Sequence, residues 1–231
     1  MIDGLSVLAL IPARAGSKRL PAKNVRPFGG APMIAWSVRA ARESVFVDQI
    51  VVSSDDPAAV EAAVAEGAVA PFVRPAALST DQTSTADVVV HALRMTAPRP
   101  DLVVLLQPTS PLRRGDDIDA TLKQLVATGA SAALTTSPLG KPLSWLLRQA
   151  ADGRLGKLLD PSTPVANDEA CFPNGAVYVV RAERFLAEPD FYPADLVGVS
   201  MPPERSVDID TLADLRLAEA MLEFSIRQYQ I

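Results

Sequence analysis

Two hydrophobic periods alternate along this chain, and that alternation restricts its fold more than any other feature. Apolar runs at residues 7–11, 49–53, 101–106 and 131–136 suit buried strands. Between them lie stretches with helical spacing. Ile34, Val38, Ala41 and Val45 share one face of a helix beginning at Pro32, and helices are also expected over residues 58–66, 86–95 and 116–128. Asp56 is placed to cap the second of these, with Pro57 at its first position. Strands alternating with helices mean βαβ units and a mainly parallel sheet.

Beyond Ser137 the pattern changes. Residues 138–174 show little periodicity, too long a stretch for a plain loop, so a lid, a dimer arm or short antiparallel strands are expected there. Regularity returns with strands at 175–180 and 196–201, a short helix at 182–187 and a last helix at 211–229. No internal repeat or linker divides the chain, so residues 1–231 are expected to form one domain, with an irregular lid or dimer segment within 138–195.

Directly after the first strand, Arg14, Lys18, Arg19 and Lys23 crowd around Gly16 and Ser17. Cations and a glycine on a loop leaving a strand suit a polyphosphate. Neither a G-x-x-x-x-G-K-[ST] nor a G-x-G-x-x-G pattern is present, so the loop is neither a Walker A loop nor a dinucleotide fingerprint. The bland reading is a solvated basic loop. The position just past a first strand favours a ligand, because open α/β sheets bind at that edge. The chain carries a formal net charge of −5, which argues against a generic nucleic-acid binder and makes this local positive charge more informative.

A second cluster is Val207-Asp208-Ile209-Asp210. In an extended segment alternate residues face one way. Asp208 and Asp210 therefore project together while Val207 and Ile209 pack behind, and two carboxylates beside bound phosphates suit Mg²⁺. The simpler alternative is that Asp210 only caps the following helix. A third is Gln107-Pro-Thr-Ser-Pro111, at the carboxyl end of the most apolar strand, where Gln107 can bond a base or a sugar; a proline turn ending a strand is equally ordinary. His91, Trp36, Trp145 and the lone Cys171 read as structural, and one cysteine permits neither an intrachain disulfide nor a cysteine-based zinc site. The apolar residues 5–10 resemble a signal peptide, but Asp3 replaces its basic start and the run is short. No run approaches the ~20 residues of a membrane helix, so a cytoplasmic protein is expected.

Taken together, Ile11-Pro-Ala-Arg-x-Gly-Ser-Lys-Arg-x-Pro-x-Lys-Asn24, Val51-Val-Ser-Ser-Asp55, Arg74-Pro-Ala-x-Leu-Ser-x-Asp81, Leu105-Leu-Gln-Pro-Thr-Ser-Pro-Leu-Arg113, Asn174-Gly-Ala-Val-Tyr178 and Ser206-Val-Asp-Ile-Asp-Thr211 resemble the acylneuraminate cytidylyltransferases, also called CMP-sialic acid synthetases. The motifs stand in family order from residue 7 to 220.

The resemblance implies a Rossmann-like, three-layer fold of the nucleotide-diphospho-sugar transferase type, with a mainly parallel sheet and a small dimerisation or lid extension, and usually a homodimer. It implies a reaction of CTP with a nine-carbon 2-keto acid sugar, giving the CMP-sugar and pyrophosphate with Mg²⁺. Matched position by position, Arg14, Ser17, Lys18, Lys23 and Asn24 hold the triphosphate and nucleoside, and Arg74, Ser84 and Gln107 help hold the cytidine. Asp208 and Asp210 bind metal, and Arg14, Lys23 and Asp208 carry catalysis. Gln107, Lys141, Asn174 and Tyr178 face the sugar, with Phe191 and Tyr192 where the family places aromatics that reach a partner subunit's site. One departure concerns the sugar carboxylate: Ser144 and Pro164 occupy the positions of two expected cations, leaving Lys141, Arg148 or a partner residue to compensate. Alternatives are a different acidic acceptor, such as pseudaminic acid or an eight-carbon ulosonate, and a non-catalytic nucleotide-binding protein.

Overall fold

A computed structural model describes residues 1–159 and 170–229, with side chains through residue 225. Six strands form the central sheet: β1 (Val7–Ala13), β4 (Gln49–Ser54), β5 (Leu102–Leu105), β6 (Ala132–Pro138), β9 (Cys171–Arg181) and β10 (Val197–Ser200), in the spatial order β10-β6-β9-β5-β1-β4. Two-residue strands β2 (Pro27–Phe28) and β3 (Ala31–Pro32) make a small ladder in the crossing loop. All neighbouring pairs in the main sheet are parallel except those of β9, which runs antiparallel between β5 and β6. The mainly parallel expectation holds, with one reversed strand that periodicity could not reveal.

Strand pleating sends alternate residues to opposite faces. In β1, Val7, Ala9, Ile11 and Ala13 join one core with α1 (Met33–Glu43), α2 (Pro57–Ala65) and α4 (Gly115–Thr128). Leu8 and Leu10 join another with α3 (Thr85–Met95) and α5 (Ala182–Ala187). The result is helix, sheet, helix. A third cluster packs α6 (Leu212–Tyr229), through Leu215 and Ala218, against Leu20, Phe28, Met33 and Ile209.

Boundaries move by a residue or two, and Asp56 caps α2 as expected, its carboxylate accepting from the Ala58 N–H at 3.0 Å. One helix prediction needs correction. Val45 lies beyond the end of α1 and is 74% exposed, because the chain leaves the helix at Ser44, whose hydroxyl turns to Asp119. The irregular segment contains short antiparallel strands, β7 (Leu147–Gln149) and β8 (Leu155–Lys157), paired as a hairpin. Pro164 lies outside the described residues. Among the described residues no helix is long and apolar enough to cross a membrane.

Candidate active site

The carboxyl ends of β1, β4 and β5 share one edge of the sheet, and the cationic loop leaves from it. Three side chains fasten that loop. Asp55, just after β4, accepts from the Ala15 N–H at 3.0 Å, Asn24 donates its amide to the Arg14 carbonyl at 3.0 Å, and Arg74 donates to the Ala13 carbonyl at 2.5 Å. Arg74 is only 4% exposed; burial pulls its guanidinium pKa down, countered by Asp55. Gly16 and Ala22 take left-handed backbone angles, with φ of 76° and 52°. For Ala22 that costs about 1 kcal/mol. It immediately precedes the 3-10 turn Lys23–Val25, which carries Lys23 into the cleft.

The cleft, of about 210 Å³, brings together Arg14, Ser17, Lys23, Asn24, Arg74 and Gln107. Thr80, Thr83 and Thr85 form a further wall, on the run that also carries Ser84. Two expected nucleotide residues are engaged with carboxylates of the chain itself. Ser84 is the N-cap of α3, accepting from the Asp87 N–H at 3.1 Å and donating to its carboxylate at 2.7 Å. Lys18 stands 2.5 Å from Asp81, whose other oxygen lies 2.7 Å from Arg14. Those contacts, Lys18 first, hold the Asp81 carboxyl below the usual carboxylate range.

The two aspartates arrive from the far end of the chain. Arg205 forks onto Asp117 at 3.2 and 2.6 Å, and the Ile209 N–H donates to the Thr109 carbonyl at 2.8 Å. Ile209 is fully buried, with Val207 packed against the same cluster. Burying one isoleucine is worth about 2 kcal/mol, more than the ~1 kcal/mol by which two carboxylates repel at ~4 Å in water, so the segment keeps both acids on the cleft side. Asp210 meets Lys23 at 3.0 Å and Arg19 at 2.8 Å. Asp208 is open to solvent at the rim, yet its carboxyl is backed by protein. Desolvation pushes its pKa up, with Asp210 and Asp214 adding to it, against a hydrogen bond from Thr109 and the charge of Lys23.

Among the residues expected to face the sugar, Asn174 is 4% exposed, with its amide turned inward. It accepts from the Thr135 hydroxyl at 2.7 Å and from the Ala176 N–H at 3.1 Å, and donates to the Ser206 hydroxyl at 3.0 Å. It thus ties β6 and β9 to the turn that precedes Asp208. Tyr178 packs edge-on against Phe191 at 5.4 Å and shares a hydrogen bond with Tyr192. Burial above all, then Tyr192, pushes its phenol pKa up. Phe191 also leans on Phe185 of α5 at 4.8 Å, so it packs within its own chain, while Tyr192 is 55% exposed. Lys141, Ser144 and Arg148 are exposed in and beside the hairpin. Sequence reasoning read Asp55 with Asp56 as a helix start and gave no role to Thr109, Asp117 or Arg205. Asp55 and Thr109 stood inside recognised motifs, whereas the Arg205–Asp117 fork carries no local signal.

Residues 8–147 match the family described as Cytidylyltransferase. The chain is 34% identical to CMP-N,N′-diacetyllegionaminic acid synthase of Legionella pneumophila over 96% of its own length and 98% of that protein. It is 29% identical to a pseudaminic acid cytidylyltransferase of Campylobacter jejuni over 93% and 95% of the two chains. A structure of CMP:2-keto-3-deoxy-manno-octonic acid synthetase complexed with CTP superposes with a TM-score of 0.70 at 19% identity, covering 95% of this chain and 99% of that one. That likeness establishes the α/β fold, and the sequence matches establish the rest: the chain belongs to the cytidylyltransferase family of nucleotidyltransferases.

Proposed function

We propose that this chain transfers CMP from CTP to the anomeric hydroxyl of a nonulosonic acid of the sialic or legionaminic type, releasing pyrophosphate. The observation that carries the reading is the convergence of Arg14, Lys23, Arg74 and Gln107 on one cleft, with Asp210 in contact with Lys23 across its rim. The identity to the legionaminic acid synthase favours that acceptor class.

In this reading Arg14, Ser17 and Lys18 take the phosphates, and Arg74 and Gln107 take the cytidine. The sugar hydroxyl attacks the α-phosphorus, and pyrophosphate departs toward Lys23, whose charge compensates the oxygens as the bond breaks. Catalysis is then mostly placement and charge compensation. Asp208 and Asp210 fit a divalent cation: Asp210 adds to the upward push on the Asp208 carboxyl and Lys23 opposes it, so added positive charge between the two acids is favourable. Mg²⁺ bound there supplies further charge neutralisation to the phosphates. Tyr178, Phe191 and Tyr192 bound the sugar side, with Asn174 holding the strand behind them. The missing cation at Ser144 favours a second reading, in which the acceptor is another acidic sugar such as pseudaminic acid.

The hairpin bears exposed Trp145, Leu147, Leu155 and Leu158, an apolar group suited to a second copy of the chain, so a homodimer belongs to this proposal. A cytoplasmic location goes with it, since CTP is supplied there.

Pyrophosphate release from CTP and Mg²⁺, measured across a panel of nonulosonic acids, tests the reaction. Release with legionaminic or sialic acids is expected. CTP binding without release for any sugar would point instead to a nucleotide-binding protein.

A further inference from the structure

Arg113 follows the Gln107-Pro-Thr-Ser-Pro turn and is 3% exposed. Its guanidinium spans three elements. Nε donates to the Ala176 carbonyl of β9 at 2.8 Å, Nη1 donates to the Ser37 hydroxyl of α1 at 2.8 Å, and Nη2 donates to the Gln107 carbonyl. Ser37, itself fully buried, reaches the same Gln107 carbonyl at 3.4 Å, closing a triangle beneath the cleft floor. All three hydrogen-bond partners of this buried cation are neutral oxygens; the Asp117 and Asp208 carboxylates act on its charge without bonding to it. A buried charge held this way is an expensive means of keeping a fold together. It is a good way to fix geometry, because the planar fork sets three directions at once and a lysine cannot reproduce it.

The elements it joins are those on which the proposed reaction depends. Gln107 lies on the cleft wall, and the Asn174-Gly-Ala turn is its neighbour: a Cβ on Gly175 would stand 3.6 Å from Gln107 Oε1. We propose that Arg113 is a positioning residue, which sets the Gln107 amide against the nucleotide and holds the Gln107 turn in register with the acceptor-side strand β9. This rests on the cytidylyltransferase reading of the cleft. Arg113 touches no substrate; it acts through Gln107 and Ala176.

A double-mutant cycle tests it, using Arg113→Lys, Gln107→Ala and the pair, read as CTP dissociation constant, the KM values for CTP and sugar, kcat and melting temperature. Arg113→Lys is expected to weaken CTP binding about tenfold while the protein stays folded, and the same change in the Gln107→Ala background to weaken it little further, the non-additivity that marks one side chain acting through another. Equal losses in both backgrounds, or unchanged CTP affinity in Arg113→Lys, would overturn the proposal and leave Arg113 a packing residue. If Arg113→Lys does not fold, Ser37→Ala takes its place in the cycle, with a smaller loss in the same direction and the same dependence on Gln107. Failure of the wild-type protein itself to bind CTP would refute the reading of the cleft instead.

Discussion

Lys23 and Asp210, 187 residues apart in sequence, meet with 3.0 Å between Nζ and Oδ1. The lysine side chain is 16% exposed and the aspartate 32%, so the pair is partly buried, with Lys23 lining the cleft. Together with Arg19, 2.8 Å from the other oxygen of the same carboxylate, the pair links the cationic loop to the acidic segment. Each partner compensates the other's charge.

Asp208 combines an upward-shifted carboxyl with the proposed metal role, so stability and activity should part there. A folded pKa above the unfolded 3.8 means that the native state binds the proton more tightly, and stability is lost as pH rises from the unfolded value through the folded one. At neutral pH Asp208→Asn is therefore expected to melt at or above the wild-type temperature. Turnover should fall by about 100-fold or more. Calorimetry beside a pyrophosphate assay reads both; near-normal turnover removes Asp208 from the site.

Asp81 pairs with Arg14 and Lys18, the cations that the proposed function gives to the triphosphate. Asp81→Asn is expected to bind pyrophosphate and CTP several-fold more tightly, with a steeper loss of affinity as salt is added. Titration calorimetry at two salt concentrations measures this. Weaker binding in the variant would instead make Asp81 part of the binding set.

His91 packs edge-on against Phe72 at 5.0 Å, and its buried Nδ1 has no hydrogen-bond partner. Burial first, and Arg74 second, lower its pKa below 6.5. The unfolded chain then takes up a proton more readily than the native one, so stability should decline as pH falls from 6.5 through the folded value. His91→Phe is expected to flatten that decline and, by removing an unsatisfied nitrogen, to add about 1 kcal/mol at pH 7. Melting curves from pH 5 to 8 would show the difference.

Trp145 and Leu155 are 67% and 64% exposed on and beside the hairpin. If a second copy covers them, Trp145→Glu with Leu155→Glu should shift the species seen by light scattering toward half the mass at micromolar concentration. An unchanged mass would place any interface elsewhere.

Much of the site was legible in one dimension, because the residues that set it are local. The apolar periods marked strands and helices, and the loop's charge and its place after β1 marked a ligand edge. Val207 and Ile209 pointed Asp208 and Asp210 the other way through pleating alone. What the sequence could not carry was pairing between distant residues. The reversal of β9 shows no periodic signature, since a buried strand reads alike in either direction. Whether Asn174 faces a ligand or its own chain depends on Thr135 and Ser206, which only folding brings within 3.0 Å of it. The support beneath the site, Arg113 on three oxygens, Arg205 on Asp117 and Asp55 on the loop, belongs to the tertiary structure for the same reason. Hydrogen bonds act over about 3 Å, and chain order does not record which groups come that close.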